Sequence, residues 1–133
     1  MIVQRLRPGD EAIVERLAER EPQTALLGDD RTVFLVALDG DRILGYVFGY
    51  ELPRRHGDPS IFFVYEVEVD AACRRQGVAT RLMNELRRIC RERGIPEGFV
   101  LTEPDNAAAN ALYAAAGGTR VETVMWDFRY ADS

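Results

Sequence analysis

The sequence contains no lysine, because all 17 of its basic residues are arginine. A Schiff-base enzyme and a P-loop nucleotide-binding protein each need a lysine, so both classes are excluded. Cysteine is scarce as well. Cys73 and Cys90 show neither the Cys-x-x-Cys nor the Cys/His spacing of a zinc site. We therefore expect neither a metal centre nor a disulfide framework.

Long apolar segments are also absent. No run approaches the ~20 residues that cross a bilayer, and residues 1–6 lack the apolar core of a signal peptide. The net charge of −5 argues against a surface for nucleic acid and makes a cationic partner more plausible than an anionic one. These features predict a cytoplasmic protein that binds neither membranes nor nucleic acids.

The 133 residues, 47% of them hydrophobic and 29% charged, have the composition of an ordinary globular domain. No repeat or linker divides the chain, so residues 1–133 are predicted to form one α/β domain. Strands are predicted at 2–7, 32–38, 43–52, 61–69, 99–102 and 121–130, and helices from Asp10 onward, at 22–28, at 78–93 and at 106–116.

The predicted strand at 61–69 changes from apolar to acidic along its length. Strict alternation places Phe62, Val64, Glu66 and Glu68 on one face, and a β-bulge would change that assignment.

The loop between this strand and the following helix reads Arg74-Arg75-Gln76-Gly77-Val78-Ala79-Thr80. Free N–H groups at a helix start bind phosphate, and Gly77 and Ala79 are small enough for close approach. An ordinary surface turn with solvated arginines is the alternative.

A second segment favours the phosphate-binding loop over the ordinary surface turn. Residues 106–117 read Asn-Ala-Ala-Ala-Asn-Ala-Leu-Tyr-Ala-Ala-Ala-Gly, and together with the loop they resemble the GCN5-related N-acetyltransferase superfamily (GNAT). Arg74, Gly77 and Ala79 match its phosphate loop, while Asn106 and Tyr113 match its second signature. The resemblance implies the GNAT fold, a mixed and mostly antiparallel sheet that is splayed at the acetyl-CoA site and flanked by helices.

The resemblance also implies how acetyl-CoA binds. Its pyrophosphate is expected on the N–H groups around Arg75 to Thr80, its pantetheine along the strand at Val67 to Val69, and Asn106 is expected to hold the pantetheine arm. The residues expected to bind this cosubstrate are Val67, Val69, Arg74, Arg75, Gln76, Gly77, Val78, Ala79, Thr80, Asn106 and Tyr113.

The implied reaction is direct attack of an amine on the acetyl thioester. Tyr113 is the expected proton donor to the departing thiolate, and a tyrosine that only packs the core is the alternative. Glu66 is the candidate base, directly or through water, because a carboxylate at the end of an apolar face can have a raised pKa. Glu68 is the rival base.

Residues 33–129 resemble more closely the type I aminoglycoside 3-N-acetyltransferases. This similarity rests on Tyr50-Glu51-Leu52-Pro53, Val64-Tyr65-Glu66-Val67, Arg74 to Thr80 and Met125-Trp126-Asp127-Phe128. The paired aspartates of that subgroup before the tyrosine helix are replaced by Glu103-Pro104-Asp105-Asn106, so the placement of the amine is expected to differ.

A polycationic amine such as an aminoglycoside is the expected substrate, and an acidic rim is expected to attract it. Residues assigned to this rim are Glu51, Glu66, Glu68, Glu103 and Asp105; solvated carboxylates without a ligand are the alternative. A GNAT enzyme for another amine, and a non-catalytic module that binds acetyl-CoA, stay open, as does a homodimer. The single histidine, His56, is expected to be an exposed loop residue, and Cys73 to be structural.

Overall fold

A computed structural model describes residues 1–132, which form one five-stranded sheet flanked by helices. Its strands are β1 (Ile2–Arg5), β2 (Thr32–Asp39), β3 (Arg42–Leu52), β4 (Ile61–Val69) and β5 (Gly98–Val100), and its α-helices are α1 (Glu11–Leu17), α2 (Val78–Glu92) and α3 (Ala107–Ala115). Short 3-10 helices lie at Thr24–Gly28 and Ala71–Cys73. The strands are ordered β1-β2-β3-β4-β5, all pairs being antiparallel except β4–β5, which is parallel. The predicted α/β class and mixed sheet are confirmed.

Both faces of the sheet are covered, each by a separate core. Helix α2 packs on one face of the sheet. Its contact residues recur every three or four positions and are all buried: Val78, Leu82, Leu86 and Ile89. The other face packs against α1 and the first 3-10 helix, where Phe34 and Phe48 are buried with Val14 and Leu27. The pattern that predicted α2 from the sequence is therefore the pattern that attaches it to the sheet. Within residues 1–132 no helix has the length and hydropathy to span a membrane.

The turn between β2 and β3 forms where the sequence predicts it. Asp39 pairs with Arg42, which leaves Gly40 and Asp41 as a two-residue turn, and Gly40 has a φ of +58°. The first helix was predicted from Asp10 onward and begins at Glu11; Asp10 is its N-cap residue, but the side chain makes no cap hydrogen bond. Its carboxylate accepts a hydrogen bond from the backbone N–H of Arg7 instead, at 2.8 Å.

The strict alternation predicted for β4 is wrong, because a β-bulge interrupts it. Phe48 of β3 pairs with Glu66 and its neighbour Gly49 pairs with Val64, so Tyr65 is an extra residue on β4. Before the bulge Phe62 and Val64 face α2, but after it Val67 does so and the glutamates face away. A Cβ on Gly49 would lie 2.3 Å from the Phe63 carbonyl oxygen, so only glycine fits at this point of the ladder.

The strand β5 covers only the first part of β4. Pairing runs from Phe62 with Gly98 to Val64 with Val100 and ends there. In the described chain, the edge of β4 from residue 65 to 69 has no strand partner on the β5 side. This divergence is the splay that the sequence resemblance predicts.

The predicted strand at 121–130 does not form. These residues follow α3 without entering the sheet, and within residues 1–132 no strand pairs with them. The reason is physical: a strand is stable only when a neighbour satisfies its N–H and C=O groups. Helix α3 ends in a glycine-terminated turn, with Gly117 at φ +94° and the Gly118 N–H donating to the Tyr113 carbonyl, and beyond it the chain runs exposed.

Candidate functional site

The loop at the start of α2 has the backbone geometry of an anion-binding site. Arg75 and Gly77 both adopt left-handed conformations, at φ +66° and +77°, and Gly77 is the N-cap of the helix. Alternation of this kind turns successive N–H groups toward one point. In the described part of the chain, residues 75–80 donate no backbone hydrogen bond, so their N–H groups are free for a ligand.

Space and charge at this loop also suit a pyrophosphate. A Cβ placed on Gly77 would meet no atom within 4 Å, so there is open space beside this residue. Arg74, Arg75 and Gln76 are exposed around it, whereas Val78 is buried in the core and anchors the helix start. Ala79 and Thr80 complete the first turn, where the helix dipole favours an anion.

The free edge of β4 begins directly after Val64, the last residue of β4 that pairs with β5. Val67 and Val69 lie on this edge, but their side chains pack against the core beneath α2. They can therefore contact a ligand mainly through backbone N–H and C=O groups. An extended, amide-containing ligand satisfies such groups as an added strand would.

Asn106 is the N-cap of α3. Its side-chain oxygen accepts a hydrogen bond from the backbone N–H of Ala109 at 3.1 Å. This contact explains the residue type structurally, and it leaves the amide nitrogen and the second lone pair of the oxygen for the pantetheine arm. The expected contact to acetyl-CoA stays a prediction.

Tyr113 is half-buried on α3 and lines an apolar groove of about 540 Å³ between α2, α3 and β5. Burial raises the pKa of its phenol. The hydroxyl therefore keeps its proton at neutral pH, as a proton donor must. The expected role of Tyr113 in catalysis stays a prediction.

Glu66 and Glu68 meet at a single hydroxyl group. After the bulge both carboxylates lie on the face opposite α2, where the Tyr46 hydroxyl is 3.0 Å from Glu66 and 2.9 Å from Glu68. A phenol has one proton, so it donates to one carboxylate at a time. Burial, followed by the two hydrogen bonds to these carboxylates, raises the pKa of Tyr46 well above its usual value. The two candidate bases thus form one acidic group.

This acidic group lies in a cleft of about 530 Å³ between the sheet and the segment after α1. The floor is aromatic, with Phe34 and Phe48, and the far wall contributes Glu19, Arg20 and Glu21. Four carboxylates and one guanidinium give the lining a clear negative charge. The sequence did not single out Tyr46, Glu19 or Glu21, because only the pairing register and the bulge bring them together.

The other residues assigned to an acidic rim lie elsewhere. Glu51 forms an ion pair with Arg93 at 2.7 Å and accepts a hydrogen bond from Ser60, and it does not line the cleft. Glu103 and Asp105 are exposed in the loop before α3, and neither lines the cleft. The predicted rim of five carboxylates is therefore wrong as a single feature, since the structure unites only Glu66 and Glu68.

His56 and Cys73, the other two residues considered from the sequence, lie where it places them, one exposed in a loop and the other buried. His56 is exposed in the loop between β3 and β4. Cys73 is buried, and its Sγ accepts a contact from the Arg42 guanidinium at 3.2 Å. Among residues 1–132 no group of three or more His, Cys, Asp or Glu side chains could hold a metal ion.

Comparison with known proteins agrees with this geometry. An L-2,4-diaminobutyric acid acetyltransferase of Streptomyces coelicolor is 35% identical over 98 residues, which cover 69% of this chain and 56% of that protein. The enzyme of the same name from Halalkalibacterium halodurans is 35% identical over 81 residues, 59% of this chain and 40% of its own length. The chain spans between 39% and 56% of the length of the curated relatives it matches.

Among solved structures, an aminoglycoside acetyltransferase from an uncultured soil metagenomic sample is similar along its whole length. It superposes with a TM-score of 0.91 at 28% identity, covering 98% of both chains. Residues 2–117 match the Acetyltransferase (GNAT) family, for which acetyl-CoA is the expected cosubstrate. The phosphate loop, the splayed strand and this match together show that the chain belongs to the GNAT acetyltransferase family.

Proposed function

We propose that this protein acetylates an amino group of an aminoglycoside, the 3-amino group being the first candidate, by direct transfer from acetyl-CoA. The observation that carries the proposal is the pairing of Glu66 and Glu68 on the Tyr46 hydroxyl inside an acidic cleft. Two adjacent carboxylates suit a substrate that presents several ammonium groups. The similarity to the metagenomic aminoglycoside acetyltransferase supports the same class of substrate.

The geometry supports a division of roles along β4. Its backbone edge at residues 67–69 would hold the acetyl-CoA arm, while the side chains of Glu66 and Glu68 extend from the same stretch into the cleft. One carboxylate would accept the proton of the incoming ammonium. The neutral amine would then attack the thioester carbonyl, and the C–S bond would break as Tyr113 donates its proton to the departing thiolate of CoA. The proton that the nitrogen loses as the amide forms would return to the Tyr113 oxygen.

A second candidate substrate is L-2,4-diaminobutyric acid, which the two curated relatives named above acetylate according to their names. It also contains two amino groups. Its α-carboxylate, however, would need a cation, and Arg20 is the single cationic side chain among the described residues that line the cleft. The charge of the lining therefore favours a polycation over an amino acid.

A substrate panel distinguishes these candidates. Thiol release from acetyl-CoA is measured with gentamicin, L-2,4-diaminobutyrate, a polyamine and a peptide with a free N-terminus. The proposal expects the highest kcat/KM with gentamicin, and expects that value to fall as salt rises, because screening weakens attractions beyond about 8 Å at physiological ionic strength. A higher kcat/KM with diaminobutyrate, or no thiol release with any amine, would overturn it.

A further inference from the structure

A continuous series of aromatic rings crosses the face of the sheet opposite α2. It starts on the floor of the cleft, where the ring centroids of Phe34 and Phe48 are 5.2 Å apart. Centroid distances of 6.1 Å and 5.7 Å link Phe48 to Tyr65 and Tyr65 to Phe63, and Phe63 is in turn stacked on the next ring at 4.9 Å. That ring is Phe99, and we call these five residues the aromatic strip. It leads from the buried floor of the cleft to an exposed end, where Tyr65 is 56% and Phe99 is 40% exposed.

The bulge in β4 places Tyr65 and Glu66 side by side on this face. In a regular strand, two consecutive side chains point to opposite faces of the sheet. Tyr65 is the extra residue of the bulge, and its ring lies against Phe48, which belongs to the core on the α1 side. The Glu66 carboxylate reaches the Tyr46 hydroxyl on the same side. An exposed aromatic ring therefore adjoins the acidic group of the cleft.

The neighbours of Tyr65 fix the orientation of its ring. The planes of the Phe48 and Phe63 rings are at 89° and 87° to it, and Tyr50 makes a further edge contact at a centroid distance of 6.0 Å. Edge-to-face pairs of this kind are favourable. Burial, followed by the negative charges of ionised Tyr65 and of Glu66, raises the pKa of Tyr50, which agrees with a close grouping of these three side chains. A ring that is already oriented loses little conformational entropy when it binds a ligand.

From this placement we infer that Tyr65 determines substrate specificity by packing against a saturated ring of the substrate, beside the amine that Glu66 and Glu68 hold. The inference rests on the proposed function and refines its substrate class: an amine built on saturated rings is preferred to a linear polyamine of equal charge. A saturated six-membered ring presents C–H groups on its faces and ammonium groups at its edge. Its face can cover the Tyr65 ring, which removes apolar surface from water, while its edge reaches the carboxylates.

Other occupants fit the exposed end of the strip less well. A linear polyamine can pair with the same carboxylates, but it has no ring face to place on Tyr65. An apolar protein surface would have to approach the Glu66 carboxylate beside the exposed ring, and that charge favours a cationic occupant. Because the strip is continuous with the floor of the cleft, a ring bound at Tyr65 also lies next to the proposed acidic group.

Calorimetry with CoA present tests this preference. It compares neamine, an aminoglycoside, with spermine, a linear polyamine that carries the same number of amino groups, and the wild-type protein should bind neamine more tightly. Tyr65→Leu removes the aromatic ring but keeps an apolar side chain. It should weaken neamine binding about 5- to 10-fold and change spermine binding by less than about 2-fold, since only the ring contact is lost. Tyr65→Phe keeps the ring and should restore the affinity for neamine.

Tyr130→Leu is the matched control, because Tyr130 is 94% exposed and lies outside the strip. It should leave both affinities at their wild-type values. Thermal unfolding curves show whether each variant is folded, and light scattering shows whether its molar mass changes.

The inference and the proposed function fail in different ways. Wild-type neamine affinity in Tyr65→Leu, with a wild-type protein that acetylates gentamicin, would overturn the inference and leave the proposed function standing. An equal loss of affinity for neamine and spermine would also overturn it, because the ring would then act through packing alone. A changed molar mass with unchanged neamine affinity would assign Tyr65 to a contact between copies instead. A wild-type protein that neither binds neamine nor acetylates gentamicin would overturn the inference and the proposed function together.

Discussion

Tyr46 and Glu68 face each other across the β3–β4 ladder, and their side-chain oxygens lie 2.9 Å apart. Glu66, two residues earlier on the same face of β4, lies 3.0 Å from the same hydroxyl. The bulge at Tyr65 turns both glutamates to the face opposite that of Val64. This contact turns two solvent-facing glutamates into one acidic group. The proposed chemistry depends on it.

The phosphate loop is tested by Gly77→Glu, which should reduce acetyl-CoA affinity at least 10-fold while the protein stays folded. The glutamate places bulk and negative charge where the pyrophosphate is expected, and the left-handed φ adds about 1–3 kcal/mol of strain. Gly57→Glu is the matched control, because this exposed loop position also has open space around it but an ordinary φ. Calorimetry that gives both variants the wild-type affinity would contradict the assignment.

Tyr113→Phe should lower kcat by about 100-fold with little change in acetyl-CoA affinity, as expected for the loss of a general acid. The phenol is half-buried in the groove, and its raised pKa keeps it protonated throughout the neutral range. The measurement is steady-state kinetics together with a thermal unfolding curve. Unchanged kcat would assign Tyr113 to packing alone.

The two glutamates are separated by their pH profiles. Glu66→Gln should depress kcat/KM most on the acidic limb, because the amide cannot accept a proton from the substrate ammonium. The same loss in Glu68→Gln alone would identify Glu68 as the base. Wild-type profiles for both variants would contradict a role for the acidic pair.

Glu51 should affect stability and not substrate binding. Its carboxylate is largely buried, with 14% of the side chain exposed. It forms an ion pair with Arg93 and accepts a hydrogen bond from the Ser60 hydroxyl. Glu51→Gln should therefore cost about 1.5–3 kcal/mol of unfolding free energy, the range for hydrogen bonds to charged groups. The KM of this variant for the amine should equal that of the wild type. An increased KM would indicate that Glu51 binds the substrate.

Alkaline unfolding provides a test of the Tyr46 contact. Its pKa is raised in the folded protein, so ionisation begins first in the unfolded chain, and the stability is full below about pH 10 and lost as pH rises above it. Each such tyrosine steepens the loss by up to about 1.4 kcal/mol per pH unit. The chain has no lysine to contribute to this loss, and Tyr46→Phe should give a shallower slope in urea titrations. An unchanged slope would contradict the hydrogen-bonded geometry.

The sequence predicted most elements because their signals are local. The turn at Gly40 and the apolar stripe of α2 each depend on residues of one continuous segment, and both formed as predicted. The loop before α2 was also recognisable from the sequence. Its left-handed conformation at Gly77 favours glycine, so the local sequence carries the signal.

The failures concern relationships between distant segments. The bulge at Tyr65 depends on how β4 pairs with β3, so the facing of Phe62 and Glu66 could not be deduced from alternation. The ion pair of Glu51 could not be deduced either, because its partner Arg93 lies 42 positions away in the sequence. Residues 121–130 were predicted as a strand from their local pattern, but strand formation also needs a neighbouring strand, and within residues 1–132 no strand pairs with them.

The central proposal is transfer of an acetyl group to an aminoglycoside amine held by Glu66 and Glu68. The most direct test incubates the purified protein with acetyl-CoA and gentamicin and identifies the modified nitrogen by NMR, with L-2,4-diaminobutyrate in a parallel reaction. We expect an amide at the 3-amino group, formed more than about 10-fold more slowly by the Glu66→Gln/Glu68→Gln double variant. Unmodified gentamicin beside rapidly acetylated diaminobutyrate would contradict it.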